Sequence, residues 1–316
     1  MLTLFIVEAV LLVLDMYPPP DPHPKRPDLY VQDDSVGYHL HPQLNTTYHY
    51  PPGNPVAIPV IANSDGYRGQ RDFDTVDTRR RILVLGDSFI FGSGVFAGER
   101  ITEVLESLIP CWRVDNMGMT GWGIDLMVRA LEQTGIQTEP DIVVLAVYTD
   151  DFRRVHPYYS GTGFRQPRFE LQQGRLVSVP YPEIQGWRKL RIYQAVYQKL
   201  STNRHFRDRF DINTALLERF YRLSREHEFD PVVVFIPGKG DNRFDRQRRT
   251  FLADWAKGYN IPYLDLTRPI HDAGVENTYI TGNWHWNPTG HRIAAENLQA
   301  LIMSTFGNGC HAGDVH

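Results

Sequence analysis

Short apolar runs alternate with amphipathic stretches between residues 81 and 305. Ile82–Leu85, Ile142–Val147 and Val232–Ile236 contain no polar side chain, the pattern of strands buried on both faces. Trp112–Val114 and Ile261–Leu264 are shorter strand candidates. Helices are predicted over 99–108, stopped by Pro110, and over 123–134, where Ile124, Met127, Ala130 and Leu131 share a face and Gly135 is the stop. Two more follow over 213–227 and 243–257. Asn287 caps a last helix, with Pro288 at its first position, running to about residue 303. Strands alternating with helices predict an α/β fold: a parallel sheet of about five strands covered on both faces.

Two stretches break the rhythm. Arg168–Leu171 and Arg175–Val179 around Gln173-Gly174 read as a β-hairpin. Residues 187–209 carry Arg188, Lys189, Arg191, Lys199, Arg204, Arg207 and Arg209, with Leu190, Tyr193, Tyr197 and Leu200 at helical spacing. They read as a solvated helix over the sheet edge, the alternative being a membrane-surface or polyanion contact. Residues 29–80 read as a loop-rich approach with a turn at Asn63-Ser64-Asp65-Gly66. Leu2–Leu14 is apolar except for Thr3 and Glu8, yet short of the roughly 20 residues a bilayer-spanning helix needs. It lacks the basic start and cleavage site of a signal peptide. It reads either as a buried or frayed N-terminal helix or as the end of a membrane anchor. Tyr17 and the prolines at 18, 19, 20, 22, 24 and 27, a stiff spacer, favour the anchor. The expected organisation is an apolar segment 1–17, a spacer 18–28, the approach 29–80, a catalytic domain 81–305 with an insertion 156–209, and a tail 306–316.

Composition narrows the function. Lys and Arg total 33 against 37 Asp and Glu, a net charge of −4, which is no footprint for nucleic acid. An apolar content of 42% excludes a disordered chain. Two cysteines, Cys111 and Cys310, exclude a disulfide scaffold and a multi-cysteine zinc site, while a single bridge between them stays open. His39, His41 and His49 lack the spacing and carboxylate partners of a metal site, and no metal or cofactor is expected. Asn45-Thr46-Thr47 matches a glycosylation sequon, a weak signal.

Four stretches carry candidate chemistry. Gly86-Asp87-Ser88 follows the first buried strand, which puts Ser88 at the carboxyl edge of an open sheet, where such folds bind ligands. Asn116-Met117-Gly118-Met119-Thr120-Gly121 follows the second strand and could offer free backbone N–H groups, or be only a turn. Asp150 and Asp151 follow the third strand, as catalytic, structural or capping carboxylates. His285, within Asn283-Trp284-His285-Trp286-Asn287, precedes the last helix and is the imidazole needed to activate Ser88, whereas His291 lies inside that helix and reads as packing. Trp122, Trp284 and Trp286 could stack on sugar, cover an acyl chain or fill the core.

Ser88, Gly121, Asp150 and His285 fall in the order of the four sequence blocks of SGNH hydrolases, also called GDSL-type esterases and lipases, and the chain resembles that family from about Arg81 to Leu301. Asn63–Gly69 also looks like bacterial members with an N-terminal membrane segment. The resemblance implies a three-layer α/β/α, flavodoxin-like domain and acyl-ester chemistry without a metal. Ser88 would be the nucleophile, His285 the general base, and the Ser88 and Gly121 N–H groups the oxyanion hole. Two positions depart from the family. Asp150 stands where an oxyanion-donating asparagine is usual, and an ionised carboxylate cannot donate. Asn283 and Gly282 stand where the triad aspartate is usual; Asn283 can hold the imidazole without charging it. Three readings follow: a protonated Asp150 in a dry pocket, a triad acid from Asp272 or Glu276, or a weak site. The leading function is a serine hydrolase of a carboxylic ester, an acyl group on a carbohydrate or lipid. The alternatives are a polysaccharide O-acyltransferase and a non-catalytic binding module. The expected partner is a small-molecule or glycan ester. The expected location is membrane-associated or extracytoplasmic, with the cytoplasm as the other option.

Overall fold

The computed structural model describes residues 2–14, 16, 24–155, 163–179, 181, 185–196 and 209–308. Most of the expected spacer, the second half of the 156–209 insertion's basic stretch and most of the tail lie outside them.

The approach 29–80 is more ordered than its weak periodicity suggests. β1 (Tyr30–Asp33) pairs antiparallel with β2 (Gly37–Leu40), and β3 (Asn45–His49) with β4 (Ala57–Ile61). These two-stranded sheets are missed by the sequence reading because each strand is only four or five residues long and mixes polar with apolar side chains. Their stability comes from packing rather than pattern. Tyr30, Tyr38, Tyr48, Ile58 and Val60 are buried in the same core as the main sheet.

That sheet contains β5 (Arg80–Gly86), β6 (Trp112–Gly118), β7 (Ile142–Tyr148), β10 (Asp230–Ile236) and β11 (Tyr263–Asp265). All pair in parallel, in the order β11-β10-β7-β5-β6, with Gly86 opposite Gly118. The expected hairpin is present as β8 (Arg168–Gln172) and β9 (Arg175–Val179). Side chains alternate between two cores, as a pleated strand requires. Leu83, Leu85, Val143 and Leu145 join a cluster covered by the helices Ile124–Gln133 and Phe210–Glu226. Ile82, Val84, Ile142 and Val144 join a second cluster under Ile101–Leu108 and Pro288–Phe306. The chain is therefore a three-layer α/β/α domain. Full burial of each such aliphatic side chain stabilises by roughly 1.5–3 kcal/mol, which is why the uninterrupted apolar strands were legible.

Leu2–Val13 is helical, as one reading expected, but it is largely exposed rather than buried. No helix among the described residues is long and apolar enough to cross a membrane. Cys111 is disulfide-bonded, and Cys310, the chain's other cysteine, lies outside the described residues.

Candidate active site

Three of the candidate stretches leave the sheet at its carboxyl edge, after β5, β6 and β7, and the fourth, Asn283–Asn287, lies between the short helix Val275–Thr278 and the last helix. In the strand order, β6 lies on one side of β5 and β7 on the other, so the chain reverses its direction of growth at β5, the position at which open α/β sheets form a crevice. The crevice is a cleft of about 600 Å³ lined by Ser88, Gly121, Asp150, Trp284 and His285 together with Tyr50 and Lys239.

Ser88 opens the four-residue helix Ser88–Phe91, capped by Asp87, whose carboxylate accepts from Phe89 N at 2.9 Å. The turn is tight because Gly118 lets it sit against β6: a Cβ there would meet Phe91 N at 2.4 Å. The buried Arg68 guanidinium anchors the other end, donating to the carbonyls of Phe91, Gly92 and Val95. The Ser88 hydroxyl donates to His285 Nε2 at 2.7 Å, although 197 residues separate them.

On its other side, His285 Nδ1 lies 2.9 Å from Asn283 Oδ1 and 2.7 Å from the Tyr50 hydroxyl. With Nε2 accepting from serine, Nδ1 carries the proton and donates to these two oxygens. Tyr50 itself donates to Asn283 Oδ1 at 3.4 Å. Neither alternative triad acid reaches the ring. Asp272 is exposed and paired with Arg268, and Glu276 is exposed on the short helix Val275–Thr278. Burial pushes the His285 pKa down to about 4; the Asp87 carboxylate opposes that shift and Arg154 adds to it. The imidazole is therefore neutral near pH 7 and free to accept a proton.

The two departures from the family pattern are resolved differently. Asp150 does not lie in a dry pocket. Its side chain is 37% exposed and pairs with Arg153 at 2.6 Å and Arg248 at 3.1 Å. Both guanidiniums engage the same carboxyl oxygen, Oδ1. The free donors are on the backbone. Among the described residues, neither the Ser88 nor the Gly121 amide N–H donates a hydrogen bond, Ser88 because it opens a helix and Gly121 because it lies in an irregular turn at φ +80°. The Gly121 turn is fixed by tyrosines of the approach: Tyr38 donates to Thr120 O and Tyr30 shares a hydrogen bond with Thr120 Oγ1, each at 2.6 Å.

Beneath the cleft lies a buried ion cluster in which Arg154, unmarked in the sequence, joins the candidate carboxylates Asp87 and Asp151. Arg154 donates to Asp87 Oδ2 at 2.7 Å, to Asp151 Oδ1 at 2.6 Å and to Trp122 O at 2.9 Å. Asp151 also accepts from Tyr148 N, closing the end of β7. Burial raises the Asp151 pKa, and Arg154 pulls it back. Arg154 gave no signal, being one basic residue in a pair after a strand. Tyr50 gave none either, because it sits in the weakly patterned approach.

The aromatic candidates separate. Trp122 and Trp286 are fully buried; Trp286 packs edge-on against Phe89 and His291. They are core residues, placed there by the strand-to-helix turns that carry them. Trp284 is 68% exposed and lines the cleft. His291 is buried inside its helix, as expected. The three approach histidines hydrogen-bond to carbonyls of Leu40, Pro27 and Asn54.

Residues 84–293 match the model of the GDSL-like lipase/acylhydrolase family. Among solved structures, the chain is similar to a lipolytic protein of the G-D-S-L family from Desulfitobacterium hafniense (14% identity, 71% of this chain and 99% of that one, TM-score 0.45). It is similar to a catalytic mutant of an acetylxylan esterase from Geobacillus stearothermophilus (14%, 72% and 95%, TM-score 0.47). It is also similar to a psychrotrophic esterase from Pseudoalteromonas sp. (16%, 71% and 97%, TM-score 0.45). A comparison with curated proteins finds no match.

Proposed function

From the premise that this chain belongs to the GDSL-like lipase/acylhydrolase family and is an ester-hydrolysing enzyme, we propose that it cleaves a carboxylic ester of a carbohydrate through an acyl-serine at Ser88. The observation that carries this reading is the 2.7 Å contact between the Ser88 hydroxyl and His285 Nε2 inside the cleft. His285 takes the hydroxyl proton as Ser88 Oγ attacks the ester carbonyl. The carbonyl oxygen, now negative, receives the Ser88 and Gly121 amide N–H groups. Collapse of the tetrahedral species expels the alcohol, protonated by His285. Water, deprotonated by the same imidazole, then releases the acid and restores Ser88.

Asn283 and Tyr50 hold the imidazole in the required tautomer. Neither supplies a charge to the imidazolium, and the carboxylate that favours it is Asp87. Tyr50 is a positioning residue, so Tyr50→Phe should lower kcat about fivefold with little change in KM, the cost of one hydrogen bond of about 1 kcal/mol. An unchanged kcat would remove Tyr50 from the relay. Because His285 must be neutral to act, activity is present above its folded pKa and lost as the pH falls through it. The acid limb of kcat/KM should therefore lie near pH 4. A limb at the ordinary imidazole value of 6.5 would contradict the buried, neutral base.

The carbohydrate assignment rests on Trp284, an exposed aromatic lining the same cleft as Ser88 and suited to stacking on a sugar ring. Trp284→Ala should raise KM for an acetylated oligosaccharide about fivefold and leave hydrolysis of p-nitrophenyl acetate within about twofold of wild type. Equal losses on both substrates would make Trp284 structural. The reading as a whole is tested by acetate release from acetylated oligosaccharides. Turnover by the wild type supports it, and hydrolysis confined to long-chain lipid esters would overturn the carbohydrate assignment.

A further inference from the structure

We infer that the helix Leu2–Val13 and residues 187–196 form one surface that rests on a lipid bilayer with anionic headgroups. The inference is independent of the catalytic reading.

Exposed large apolar side chains are concentrated here. Of eighteen among the described residues, nine lie between Leu4 and Met16 and three more are Trp187, Leu190 and Val196. Phe5 is 81% exposed and Val13 83%. An accumulation of this kind is rare on a surface that meets only water.

The two segments are joined, and the joint removes the one charge on the helix. Glu8 accepts from Arg191 N at 2.8 Å and Ile192 N at 2.9 Å, at the start of the helical stretch 191–196. The Arg191 guanidinium donates to Met16 O at 3.0 Å. Among residues 3–13 Glu8 and Leu11 are the partly buried positions, and the others, all apolar except Thr3, are exposed. The only carboxylate is satisfied by protein, as an apolar environment would require.

A bilayer, rather than a second protein, fits the rest of the patch. Trp187 is an exposed aromatic beside the exposed Arg188 and Lys189, and residues 185–196 contain no acidic side chain. Aromatic rings at headgroup depth with adjacent cations are the arrangement that interfacial segments use. The chain as a whole is net negative at −4, so attraction to an anionic surface has to be local.

The test is flotation of the full chain with vesicles of phosphatidylcholine, alone or mixed with phosphatidylglycerol. Wild type should float with both and at least about fivefold more strongly with the anionic mixture. The variant Phe5→Glu with Leu12→Glu should lose binding to both by about tenfold or more. Arg188→Glu with Lys189→Glu should lose only the preference for the anionic mixture. Hydrolysis of a soluble ester should stay at the wild-type rate in both variants, which shows that they fold. Wild type that remains unbound with both vesicles, or apolar-face variants that float as wild type does, would overturn the inference. So would a vesicle-indifferent dimer in solution that Phe5→Glu dissociates, which would assign the surface to a second copy of the chain.

Discussion

Replacing Ser88 with alanine should lower ester turnover by about a thousandfold or more while leaving the unfolding midpoint close to wild type. The size follows from the chemistry: without Oγ there is no covalent route, and only binding and the two backbone N–H groups remain to assist water. The small structural cost follows from the surroundings. The hydroxyl's nearer partner, His285 Nε2, faces the cleft and can take a water in its place, and Asp87 Oδ2, 3.3 Å from the hydroxyl, keeps its bond from Arg154. His285→Ala should give a loss of the same order, and the double variant should be little worse than either single one, because the two act as a unit. Losses that multiplied would mean that the pair does not share a step.

Removing Arg154 should cause the largest loss of stability of any single change near the cleft. Arg154→Met keeps much of the packing volume but leaves Asp87 and Asp151, both fully buried, facing each other without a counter-charge. Breaking a buried ion cluster by taking one partner costs about 3–5 kcal/mol. The loss should appear as a lower urea midpoint with an unchanged slope. Turnover should fall as well, because Asp87 caps the turn that presents Ser88. Adding Asp87→Asn and Asp151→Asn to Arg154→Met should recover part of the stability. A loss below about 1 kcal/mol in the single variant would contradict the view of this cluster as the floor of the site.

The sheet was legible because β5, β7 and β10 are buried on both faces and so leave uninterrupted apolar runs. The last helix was legible because Asn287 and Pro288 mark its start by their own chemistry. Ser88 and His285 could be named because each stands where a strand or helix boundary opens onto the carboxyl edge. The supports of those residues were not legible. Tyr30 and Tyr38 reach the site from strands of four residues, and Tyr50 from the bend directly after β3, all ordered by contacts with the main domain. Arg154 binds Asp87 across 67 residues of sequence. The ion pairs of Asp150 were hidden for a related reason: Arg248, which donates to Asp150, comes from a helix 98 residues away. Local pattern identifies the ends of elements, whereas electrostatic state depends on which distant ends meet.

Every step from bound ester to released acid depends on Ser88 being an activated nucleophile. Incubation with a fluorophosphonate probe, followed by intact-mass measurement and peptide mapping, examines that directly. One adduct per chain is expected, on the peptide containing Ser88, formed far more slowly in His285→Ala. A chain that takes up no probe while it hydrolyses ester, or one labelled at another residue with Ser88 unmodified, would contradict it.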